Sequence, residues 1–192
     1  MLSGSALNAA VTQLVAISRP LHTVYQRAMP HKYASDPLGK MRHIRPARFN
    51  LGDRISHGKL VPGARVLYLG DDAVTCLYEA QLVGLPARAV TVVPVECRLA
   101  AVVDLRLSRV QKLLRTTGAE VNANFRTFSP AHAPSQMLGE TCSAIGRIDG
   151  LLYASSARPG HHNLAVFERA LSLLHSMLIV SDPASGLSDR LP

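Results

Sequence analysis

The chain has 192 residues, 47% of them hydrophobic and 18% charged, with 13 Gly, 12 Pro and no Trp; this suits one domain with a real core and excludes global disorder. Its net charge of +8 comes from 17 Arg and 4 Lys against 13 acids. No helix-turn-helix, zinc-finger or RNP-type aromatic pattern accompanies that charge, and the use of Arg over Lys favours planar, bidentate contacts, so a phosphate-bearing ligand ranks above a polynucleotide.

Residues 6–18 read as an amphipathic helix that ends before Pro20, with no Lys or Arg ahead of it to suggest a secretory signal. Residues 1–20 are taken as this helix, 21–181 as the main domain and 182–192 as a polar C-terminal tail. The stretch from Leu21 to Pro62 is broken by prolines and glycines and reads as a long irregular, functional segment. It also carries the charge: Arg19 to Arg65 holds ten Lys/Arg and only Asp36 and Asp53 as acids. Order returns with a buried strand over residues 65–69, closed by Gly70. Asp71 and Asp72 then offer N-caps for a helix over about 73–83.

Residues 90–95 and 99–105 are two further strands, and a helix runs from Ser108 to about Arg115. The segment 122–140 is turn-rich and ambiguous. Strands follow at 150–154, 163–167 and 177–180, with a turn at 158–160. Without regular βαβ alternation the class is α+β. No GxGxxG or Walker motif is present. No apolar run approaches the roughly 18–20 residues that span a bilayer. Cys76, Cys97 and Cys142 have neither zinc nor disulfide-framework spacing, which makes a reducing cytoplasm the expected compartment.

Four local features could carry chemistry. Arg45-Pro-Ala-Arg48-Phe-Asn50 places arginines in a stiffened turn, and a solvated basic loop is the plain alternative. Tyr68 sits mid-strand, where tyrosine is usually core and only occasionally a stacking platform. Glu79 shares a helix face with Thr75 and Cys76 and so needs a partner, which nearby arginines could supply; a structural salt bridge is the plain reading and a catalytic acid/base the sharp one. Tyr153-Ala-Ser155-Ser156-Ala-Arg158 brings hydroxyls out of a strand, as turn caps or as ligands. His161 and His162 are adjacent on a strand, where neighbours face opposite sides, which argues against a shared metal ion.

In order along the chain, these features resemble the RES-domain family, which includes the toxins of Xre–RES toxin–antitoxin pairs. Tyr25-Gln-Arg27 resembles its Tyr-Arg element, with Gln26 inserted. Ala47-Arg48-Phe49-Asn50 resembles its Gly-Arg-aromatic-Asn element, with Ala47 in place of Gly. Leu67-Tyr68-Leu69-Gly70, Thr75 to Glu79, Gly150-Leu-Leu-Tyr153-Ala-Ser155 and Asn163-Leu-Ala-Val-Phe167 look like the remainder. The likeness spans about Leu21 to Leu171. It implies a compact split β core with flanking helices, similar to the ADP-ribosyltransferase fold, gripping NAD in a cleft and cleaving its nicotinamide–ribose bond by hydrolysis or phosphorolysis. A transferase that modifies a protein would use the same cleft, and a basic nucleic-acid-binding module is the alternative from another class.

By that resemblance Arg48, with Arg27, would bind the pyrophosphate of NAD and Tyr68 would flank nicotinamide. Glu79 would engage the ribose and the incoming nucleophile. Ser155, preferred over Ser156 because it keeps the Tyr-x-Ser spacing, would hydrogen-bond the ribose or the amide. No metal is expected, and a neutralising antitoxin protein is the implied partner.

Overall fold

Strands whose alternate residues are buried on two different surfaces organise the computed structural model, which describes residues 1–38, 46–128, 132–182 and 187–191. In chain order the elements are α1 (Gly4–Ile17), β1 (Arg19–Pro30), β2 (Arg54–Ser56), β3 (Lys59–Val61), β4 (Val66–Gly70), α2 (Ala73–Glu79) and β5 (Val90–Asp104). They continue with α3 (Ser108–Leu114), α4 (Gly118–Asn122), α5 (Pro134–Ile145), β6 (Gly150–Ala154), β7 (His162–Phe167), α6 (Glu168–Leu174), β8 (Met177–Asp182) and β9 (Leu187–Leu191). No helix among the described residues is long and apolar enough to cross a membrane.

The main sheet runs β1-β4-β7-β6-β5-β8-β9, and β1 also pairs with β5. Strands β1, β4, β7, β6 and β5 therefore close on one another, with β8 and β9 extending from β5. Among the described residues only β5 and β6 pair in parallel. Period-2 alternation sorts the side chains. On one surface Val66, Leu151, Tyr153, Ala165 and Phe167 pack under Leu7, Val11 and Leu14 of α1 and Leu138 and Cys142 of α5. On the other, Leu67, Leu69, Leu152, Leu164 and Val166 meet Tyr25, Met29, Val93 and Val95 inside the closed sheet. This is the expected α+β arrangement of a split β core with flanking helices.

Several elements differ from the sequence reading. The first part of the supposedly irregular segment 21–62 is the long strand β1, whose Tyr25, Arg27 and Met29 alternate inward. The two strands read at 90–95 and 99–105 are one, because Glu96 and Arg98 interrupt the apolar run only on its outer face, where they bond each other. Helix α5 takes up the end of the ambiguous 122–140, from Pro134 on, α6 fills the gap before β8, and the supposed tail supplies β9. Helix α2 stops at Glu79, ahead of its expected end, and Gln81 takes a left-handed φ of 57°.

The split lies between β1 and β4, registered only at Gln26 opposite Gly70. Beyond that pair, α2 fills the gap. The Cys76 thiol accepts from Ala28 N at 2.8 Å and donates to Gln26 O at 3.1 Å, replacing a strand partner. Gly70 permits the approach, since a Cβ there would stand 2.8 Å from Cys76 N.

Candidate active site

Where β1 and β4 part, a cleft of ≈ 840 Å³ opens, with Arg27, Arg48, Tyr68, Glu79, Ser156 and Asn163 in its walls. Six separate chain segments contribute these residues. Each is held for an identifiable reason.

Asp72 caps α2 by accepting from Thr75 N at 2.6 Å, and its carboxyl is held down to about 2, chiefly by that bond and further by Arg158. The helix then delivers Glu79 at its last turn. Glu79 Oε1 accepts from the Ser155 hydroxyl at 2.6 Å and from Asn163 Nδ2 at 3.0 Å. No hydrogen bond falls on Oε2 among the described residues. The partner demanded by the half-buried carboxylate is thus a serine and an amide rather than an arginine.

Ser155 Oγ also accepts from the backbone N–H groups of Ala157 and Arg158. It therefore both caps the turn after β6 and orients Glu79. Ser156, one residue on, reaches the cleft and accepts from Arg48 Nη2 at 3.2 Å.

The Arg48 turn is clamped by one face of α5. Gln136 Nε2 donates to Ala47 O and Asn50 O, and Glu140 Oε1 accepts from Leu51 N. Between them Gly139 lies against the Phe49 backbone, where a Cβ would come within 1.9 Å of the carbonyl oxygen. From the sheet side, the Tyr68 hydroxyl accepts from Phe49 N at 2.8 Å and donates to Asn50 Oδ1 at 2.9 Å. Burial raises the pKa of that hydroxyl, so it stays neutral. Tyr68 thus lines the cleft while its hydroxyl secures the arginine turn. Arg48 Nη1 donates to Val121 O and Ala123 O at the end of α4, and its guanidinium lies over the Tyr153 ring. Arg45 lies outside the described residues.

Arg27 is a buried charge. It is 9% exposed, and its buried Nη1 has no hydrogen-bond partner among the described residues. Burial pushes its pKa down to about 10, so it remains charged at neutral pH.

The model of the RES domain matches residues 23–184. The chain belongs to the RES-domain family. Among solved structures, a chain of the M. tuberculosis MbcT–MbcA toxin–antitoxin complex is similar over 96% of this chain and 93% of its own, with a TM-score of 0.59 and 16% identity. No curated protein matches.

Within this RES domain the sequence reading missed Asn163. It is 1% exposed, and it shares a β7 face with Ala165 and Phe167. The usable signal was an amide at an inward position of an otherwise apolar strand. Arg126, at the cleft rim beside Phe125, was also missed.

The expectation that His161 and His162 diverge is corrected. His161 precedes β7, so strand alternation does not separate the pair. Their Nδ1 atoms lie 3.2 and 3.1 Å from Asp71 Oδ2. Asp71, Asp72 and His161 hold ligand-type atoms within 4.8 Å of one another. Asp72 is committed elsewhere, however, with Arg158 Nη1 2.7 Å from both of its oxygens. The cluster acts as a clamp between the start of α2 and the loop that carries both serines.

Proposed function

We propose that this RES domain is a toxin that cleaves the nicotinamide–ribose bond of NAD, with water or phosphate as acceptor. One observation carries the reading: among the described residues, Glu79, fixed through Oε1 with Oε2 unused, shares a cleft with a buried arginine whose Nη1 lacks a partner. Arg27 supplies charge for the pyrophosphate and Arg48 offers a second guanidinium along the wall. Tyr68 flanks the nicotinamide end.

In the reaction an oxygen of water or phosphate bonds to C1′ as the C1′–N bond breaks, and its electron pair returns to the pyridinium ring, releasing neutral nicotinamide. Glu79 stabilises the oxocarbenium-like state and takes the proton of the attacking oxygen. Ser155 and Asn163 hold that carboxylate in place. The family's toxins and the toxin–antitoxin complex on the same fold support a cognate antitoxin as the restraining partner.

The test is nicotinamide release from NAD by the purified chain, with and without phosphate. Wild type should release it, and Glu79→Gln should lose at least roughly 100-fold in kcat while still binding NAD. Near wild-type turnover in the variant would remove Glu79 from the chemistry. No release from the isolated chain, but labelling of a protein when cell extract is added, would make it a transferase instead.

A further inference from the structure

Asn163 is tied to Glu79 by half of its amide only. A carboxylate accepts hydrogen bonds and donates none, so the Asn163 NH2 must face Glu79 Oε1, 3.0 Å away, and the carbonyl must turn from it. That carbonyl, Oδ1, is buried and has no partner among the described residues. Asn163 also lines the cleft. It pairs across the sheet with Gly70 on one side and Tyr153 on the other. A buried carbonyl left without a donor is costly, and native folds rarely keep one unless something else supplies the bond.

We infer that Asn163 reads the substrate: its Oδ1 accepts a hydrogen bond from a donor on the ligand, next to the carboxylate that drives the reaction. The inference rests on the NAD reading of the cleft. The shared ligand chemistry is a neutral N–H or O–H donor close to the scissile bond. NAD offers two, the carboxamide NH2 of nicotinamide and the 2′-hydroxyl of its ribose. One residue then does two things. Its NH2 holds Glu79, and its carbonyl sets which ligand is held against Glu79.

A cycle of protein and substrate changes tests this. Initial rates are measured for wild type and Asn163→Ala on three dinucleotides: NAD, the nicotinic acid analogue, which carries a carboxylate in place of the carboxamide, and the analogue lacking the 2′-hydroxyl. Thermal melting confirms that the variant is folded; should alanine fail to fold, Asn163→Ser carries the same cycle.

With NAD the variant should lose roughly 10- to 100-fold in kcat/KM, the effect of one buried hydrogen bond. With one of the two analogues, wild type and variant should differ much less, and that analogue names the donor. Equal losses on all three substrates would overturn the inference, leaving Asn163 as a support for Glu79 alone. Wild type that neither binds nor cleaves NAD would overturn the parent reading, a result distinct from the one that removes only Asn163.

Discussion

Arg27 sets a conflict between stability and binding at a single position. It is buried to 9% exposure, and no acceptor lies on its Nη1 among the described residues. Burial lowers its pKa to about 10, which corresponds to on the order of 3 kcal/mol of unfavourable burial of the charged form. An apolar residue of similar length would escape that cost. Arg27→Met should therefore raise the melting temperature by at least ~2 °C while raising the KM for NAD well above that of wild type. A lowered melting point with unchanged KM would show that the guanidinium is structural. Arg27 was legible only through the family motif, since an arginine among inward residues does not read as a strand. Glu79 could be read from helix spacing. Asn163 was legible only as the first residue of a family-like strand element, where its amide, at an inward position of an apolar strand, was given no role.

At the scale of elements, the site depends on α5, which the sequence concealed. Pro134 and Gly139 made residues 122–140 look like turns, yet Pro134 sits in the first turn of the helix, where its missing N–H costs nothing. Gly139 is where the helix touches the Arg48 turn. By contrast β4, α2, β6 and β7 were legible, since each is an apolar run or a capped stripe whose partners lie on both faces. Strand β1 was not, because residues 22–24 are exposed on both faces, which hides the alternation, and prolines stand near both ends. Gly139→Ala should destabilise the fold by about 1–3 kcal/mol, because the new Cβ meets backbone rather than a flexible side chain. The same change should displace Arg48 and lower turnover at temperatures where the fold persists. Denaturant melts and NAD turnover on one sample would check both; a variant within ~0.5 kcal/mol of wild type would mean that α5 does not clamp the turn.

Across the whole molecule, the question is where the +8 charge is directed. Arg65, Arg98, Arg106 and Arg158 pair with Asp53, Glu96, Asp104 and Asp72. Among the described residues Arg27, Arg48 and Arg126 line the cleft, opposed there by Glu79 alone. Three positive charges against one leave an excess of two, matching the two charges of a pyrophosphate. A polynucleotide footprint would instead need unpaired Lys and Arg spaced along an exposed face. Mixed-sequence duplex DNA should accordingly bind no tighter than about 1 µM at ~150 mM salt, and saturating NAD should not displace what does bind. Fluorescence anisotropy across a salt series measures this. Submicromolar affinity that falls steeply with salt and is competed by NAD would mean that the cleft arginines serve nucleic acid, and the small-ligand reading of the charge would fail with it.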